Sequence, residues 1–390
     1  MSLSGLNPDL ARAAAWVFLF GLLVCSRVLP LRWAFALALL KTLIPFAYFA
    51  HDPFGSLHLD DDLGYYYGAV GLRQRGVDAA MLATHPILLK IFLAAMGSIH
   101  MAYPLWNLTA ISAFGPHYFA PVFLNVGLTF VGAWLFRRIL AGMGFPATYL
   151  AFAFAFFLLH WDVVAWSSFL NLKDTLAMTL TLAAFERLLA VMRRPGPLNL
   201  LATLVLMGAL VFVRFYAPFL ILTAAAVSLL STPGARTRWG PAFAIAAGLA
   251  AFATWKWDVL LHGIAQADPA GAAYGVFRFF LTPLPWNLAP GYGFLLVPAT
   301  LHLLFLPPAF AAAYLLWTRP GARVLIIYLA VTMLFYALFP ELQGSRQRLQ
   351  AGFVLVWLQY HALWTLARRA SSIGDSRPRD PGSASDPIRS

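Results

Sequence analysis

Runs of roughly 17–25 predominantly apolar residues, the length a helix needs to cross a hydrocarbon core, recur from end to end of this chain. No other feature constrains the fold as much. Backbone inside a bilayer must satisfy its own N–H and C=O groups, so repeated runs of this kind predict an all-α bundle of transmembrane helices. Composition agrees: 61% of the 390 residues are hydrophobic, 15% aromatic and 11% charged, with a mean hydropathy of +0.75. A water-soluble globule of that composition would expose large apolar patches. The one cysteine, Cys25, excludes an internal disulfide framework and a Cys-based metal site.

A formal charge of +12 would suggest nucleic acid in a soluble protein, but the arginines are paired at the ends of apolar runs. Placing Arg137/Arg138, Arg193/Arg194, Arg236/Arg238, Arg319/Arg323 and Arg368/Arg369 on the cytoplasmic side gives one consistent topology. A basic stripe with interleaved aromatics is absent, so no nucleic-acid partner is expected. The resulting reading has about eleven spans, at 11–29, 33–50, 118–136, 147–164, 173–190, 198–213, 216–231, 240–257, 293–317, 322–339 and 349–367. They form one transmembrane unit over 1–370, followed by a Ser-, Pro- and Arg-rich tail at 371–390 with too little apolar content to fold. The N-terminus is then outside. The first run also reads as a signal anchor or an interfacial helix, because Arg27 and Pro30 shorten it. A lipoprotein box at "LLVC" fails on Val24, where a small residue is needed.

This topology gathers the irregular, polar sequence on one face: a first loop at 51–117, the turns near 165–173 and Arg214, a late loop at 258–292, and 340–348. Within the first loop, Ala79–Met101 is apolar, yet reading it as a span would put Arg137/Arg138 outside. It is expected to lie in the interface, with Lys90 reaching the headgroups.

The same loop holds three consecutive acids, Asp60, Asp61 and Asp62. A solvated loop that keeps charge out of the membrane is the bland reading. Against it, Tyr65, Ala69 and Leu72 follow Asp61 at helical spacing, which places the acids at a helix N-terminus, where the dipole favours negative charge. A carboxylate at a membrane–water boundary beside a second acid suits a general base for a hydroxyl proton.

The acid pair, the Tyr-containing helix after it and the order of loops resemble the GT-C glycosyltransferases, polytopic enzymes that take sugars from polyprenyl-phosphate or dolichyl-phosphate donors. The likeness is to glycosyltransferase 39-type members and does not reach a subfamily. It implies that Asp61-Asp62 matches the family's first-loop pair, with the catalytic aspartate at Asp61. It also implies interfacial helices in the first loop and a multi-pass protein of the bacterial inner membrane whose site faces outward. The acceptor is then a lipid, glycan or protein.

A donor that leaves as phosphate needs cations, and several stand on the same face. Lys173 and Asp174 open a span; an N-cap role for Asp174 is the plain alternative to a phosphate-site role. Arg214, between two short spans, is charge at membrane depth, which is expensive and usually functional. Arg278 precedes a Pro- and Trp-rich stretch that reads equally as a donor entrance or an aromatic-belt anchor. Arg346 and Arg348 start the last span on the side where positive charge is disfavoured; lipid headgroups or the donor phosphate explain them. Tyr65 completes the substrate-binding set.

His58 with Asp61 and Asp62 suggests a divalent ion, Mg²⁺ or Mn²⁺, bridging carboxylate and phosphate, although the spacing forms no recognised metal box. "NLT" at Asn107–Thr109 is a glycosylation sequon on the outer face. Two other functions stay open: a lipid-linked oligosaccharide polymerase or ligase, and a lipid-linked glycan transporter without catalysis, which would show repeat symmetry and broken helices at midplane.

Overall fold

The computed structural model describes residues 7–57, 59–88, 90, 102–194, 196–231, 265–339 and 344–375. Among these the chain is helical, with no strand. The helices are α1 (Pro8–Ser26), α2 (Leu31–His51), α3 (Asp60–Gln74), α4 (Ala79–Thr84), α5 (Ala102–Phe114), α6 (Phe119–Gly142), α7 (Ala147–Leu159) and α8 (Trp161–Ser168). They continue as α9 (Lys173–Arg193), α10 (Pro197–Val211), α11 (Ala217–Leu230), α12 (Ala272–Leu281), α13 (Leu296–Leu316), α14 (Pro320–Ala337) and α15 (Ser345–Asp375).

Six helices are long and apolar enough to cross a membrane: α1, α2, α6, α9, α13 with the short turn before it, and α14. The bent pair α7 and α8, which meet at 44°, makes a seventh if counted as one span. The chain is thus a helical membrane protein, with fewer full crossings among the described residues than the expected eleven. The expected spans at 198–213 and 216–231 are helices of 15 and 14 residues, about 22 Å long at 1.5 Å per residue, which is short of a full crossing. That at 240–257 lies outside the described residues. The last falls within the 31-residue α15, whose polar content keeps it off the candidate spans.

Local sequence explains the breaks. Asn7 caps α1 through Asp9 N–H, with Pro8 at the first helical position. Gly144, at φ +81°, ends α6 where a left-handed residue is needed, and Pro146 precedes α7. At the α7–α8 break the ring of His160 accepts from Asp162 N–H.

Contacts sort the helix ends into two groups. At one end, Arg193 donates to Gly142 O (2.6 Å), Arg319 lies over the Phe145 ring and Arg323 reaches Ser231 O. At the other, His117 meets Asp9 (3.0 Å), Tyr48 holds the backbone of Ser56 and Leu57, and Asp268 N–H donates to Leu338 O. The described members of the arginine pairs at 193, 319 and 323 therefore share one end. Residues 7–9, α3 and the starts of α9 and α15 share the opposite one.

Two expectations change. Helix α15 runs to Asp375, five residues into the stretch read as an unstructured tail. Asn107 is completely buried and bonded to Asn171, so its side chain is closed to glycosylation. In the apolar first-loop stretch only α4, capped by Asp78, and parts of 86–90 are described; 91–101 lie outside the described residues.

Candidate functional site

Asp174 is the centre of the charged end. It is the second residue of α9, where the helix dipole favours a carboxylate, and it is fully buried. Its Oδ1 accepts from Arg214 Nη2 and its Oδ2 from Arg346 Nε (2.8 Å), guanidinium groups that come from the α10–α11 turn and from the first turn of α15. The turn between the short helices α10 and α11 brings Arg214 to the N-terminus of α9. One carboxylate thus stands between two guanidiniums, with the Lys173 ammonium next to it in the chain. Lys173 Nζ donates to Tyr65 OH (2.8 Å) and lies over the Tyr65 ring, which ties the cluster to α3.

The guanidinium of Arg214 is aimed by a directional chain. Arg214 Nη1 donates to Tyr216 OH (2.9 Å), Tyr216 meets Tyr336 OH (2.7 Å), and Tyr336 donates to Gln350 Oε1 (2.8 Å). Since Tyr336 spends its proton on Gln350, Tyr216 is the donor to Tyr336. Each hydroxyl thereby accepts once and donates once.

A neutral hub supports the same end. The Asn171 amide donates to Asn107 Oδ1 (2.6 Å) and to Asp62 O (3.2 Å), and its Oδ1 accepts from Tyr103 OH (2.6 Å). Asn125 donates to Tyr103 OH and to Leu172 O. Burial holds the Tyr103 hydroxyl well above the usual phenol range, so it remains a donor. Helix α5, read from sequence only as loop, supplies two members of this hub.

The acids divide. Asp62 is fully buried; its Oδ1 accepts from Leu59 N–H (3.0 Å) and its Oδ2 from Tyr118 OH (2.7 Å). It caps α3 and fastens that helix to the start of α6. The buried face of α3 runs through Asp62, Tyr66 and Ala69, which shares Ala69 with the expected register but turns Tyr66 inward, where it donates to Pro116 O. The side chains of Asp60 and Asp61, and all of His58, lie outside the described residues. Among the described residues no group of three His, Cys, Asp or Glu is placed to hold a metal, and Asp62 faces hydrogen-bond donors instead.

Two expected cations stand apart from Asp174. Arg278 is half-buried over the Tyr274 ring. Arg348 is buried, and its Nη1 donates to Phe279 O, Phe280 O and Thr282 O. Residues 346 and 348 are about 200° apart around a helix, so the two arginines leave α15 on opposite faces. The structure thus joins Lys173, Asp174, Arg214, Arg346 and Tyr65, places Asp62 beside them as a support, and separates Arg278 and Arg348.

No protein-family model, curated protein or solved structure matches the chain.

Proposed function

We propose that this chain is a membrane glycosyltransferase that moves a sugar from a polyprenyl-phosphate donor to an acceptor hydroxyl. Its finer topology is the GT-C-like one of about eleven crossings, in a bacterial inner membrane with the Asp174 end outward. The acceptor is a lipid, glycan or protein. What carries the reading is the convergence of Arg214 and Arg346 on one buried carboxylate, with Lys173 next to it on Tyr65, beside the helix that begins with the acid triplet. Guanidinium and ammonium donors at a membrane boundary suit a phosphate headgroup whose chain stays in the bilayer.

In the proposed reaction Asp61 takes the proton of the acceptor hydroxyl, and the acceptor oxygen forms a bond to the anomeric carbon of the sugar. The bond from that carbon to the phosphate oxygen breaks, and polyprenyl phosphate leaves with the electron pair. The cluster around Asp174 stabilises the charge that grows on the leaving phosphate.

One observation favours the transporter alternative: α7 and α8 meet at a 44° bend, the geometry of a broken span or a re-entrant loop. The test is to incubate purified full-length protein in nanodiscs with a panel of labelled polyprenyl-phosphate sugars and hydroxyl acceptors. Labelled product with stoichiometric release of polyprenyl phosphate supports transfer. Intact donor throughout, with movement of donor between leaflets in proteoliposomes, replaces it with transport.

A further inference from the structure

The C-terminus of α12 is held in an unusual way. Its last carbonyls, Phe279 O and Phe280 O, and Thr282 O just beyond, converge on a single nitrogen, Nη1 of Arg348, at 3.1, 3.2 and 3.0 Å. Orphan carbonyls at a helix end attract cations, but here the cation comes from another helix and is itself buried. A second helix grips the same turn: His302 Nε2, on α13, lies 2.8 Å from Phe280 O. A carbonyl accepts only, so that nitrogen carries the hydrogen. The third side of the turn is Phe279, fully buried and stacked on Tyr336, the tyrosine that supports Arg214 through Tyr216.

Along the start of α15, three side chains two residues apart fasten the helix on two faces, residues 346 and 350 on one and 348 on the other. Arg346 reaches Asp174, Arg348 the 279–282 turn and Gln350 the Tyr336 hydroxyl. Removing the middle anchor frees the first turn to shift relative to α9, and small displacements are enough to misplace a guanidinium.

We infer that Arg348 and His302 are positioning residues: by locking the 279–282 turn to α13 and α15, they set the guanidinium of Arg346 on Asp174. This deepens the donor-phosphate reading and rests on it for its functional readout. Arg348 holds the protein that holds the phosphate; it does not touch the ligand.

The experiment uses the full-length protein with two readouts. The first is affinity for farnesyl monophosphate, measured by calorimetry in a double-mutant cycle of Arg346→Ala and Arg348→Ala. Each single change should weaken binding by roughly tenfold or more, and the double variant should be no weaker than Arg346→Ala alone, because Arg348 acts through Arg346. His302→Ala should weaken binding and His302→Gln restore it, since the amide N–H can reach Phe280 O. The second readout is the distance between spin labels on cysteines replacing exposed Tyr274 and Leu366, with Cys25 changed to Ala: one narrow distribution in the parent, broadened by Arg348→Ala. If that variant fails to fold, Arg348→Lys, which keeps the charge but loses the planar fork, should show the same broadening to a smaller degree. Losses that multiply in the double variant would place Arg348 on the ligand and overturn the inference, as would unchanged affinity and an unchanged distance distribution. If the parent protein does not bind farnesyl monophosphate, the donor-phosphate reading fails and the spin-label distances alone decide whether the lock exists.

Discussion

Asp174 and Glu186 stand on the same helix, about 18 Å apart along its axis, and each is held by two arginines. At Glu186 the partners are Arg138 (2.6 Å) and the adjacent Arg187 (2.7 Å), whose side chains are 37% and 34% exposed. At Asp174 they are Arg214 and Arg346, 7% and 16% exposed, and they come from parts of the chain far away in sequence. The chemistry is the same and the environment is not. Exposed arginines are screened and contribute little. Buried ones make the central carboxylate costly to lose, since both desolvated guanidiniums share it. The same desolvation would strengthen attraction for an incoming anion, so the costly end is the one suited to bind.

The comparison can be broken by mutation. Asp174→Asn should be the most damaging change, lowering stability by about 3–5 kcal/mol, as removal of one member of a buried charge cluster does. Thermal unfolding in detergent reads it, and parent-like melting would mean the two guanidiniums have other counter-charges. Asn171→Ala comes next at about 2–3 kcal/mol, because the Tyr103 hydroxyl loses its acceptor and the Asn107 amide oxygen the donor from Asn171. Substituting Ser should recover only part of it. The smallest effect belongs to Glu186→Gln, at most about 1 kcal/mol after discounting for the exposure of its arginines. A loss there as large as at Asp174 would remove the distinction between the ends.

Much of this was readable in the sequence because charge inside apolar sequence is conspicuous. Lys173, Asp174, Arg214 and Arg346 were singled out by type and position, and they meet. The neutral members were silent: Asn107 read as a sequon, Asn125 sits inside a span, and Asn171 looked like part of a turn. Neutral amides carry no long-range signal, and their value lies in mutual geometry. Arg346 and Arg348 looked equivalent because a two-residue offset is invisible until the helix exists to turn them apart. The contact of Asp62 was hidden for a related reason: its partner Tyr118 lies 56 residues away, which a local register does not include.

Adjacent acids with opposite assignments give the most direct test of the central claim, that this end carries out sugar transfer on a rigid polar scaffold. The measurement is donor turnover by Asp61→Asn and Asp62→Asn side by side, at matched expression, together with their melting temperatures. Asp61→Asn should melt like the parent and lose about 10²–10⁴-fold in kcat, the cost of losing a positioned general base. Asp62→Asn should melt lower while the fraction that remains folded keeps the larger share of its turnover. Parent-like turnover in Asp61→Asn, with activity lost in a stable Asp62→Asn, would contradict both the division of the acids and the chemistry assigned to this end.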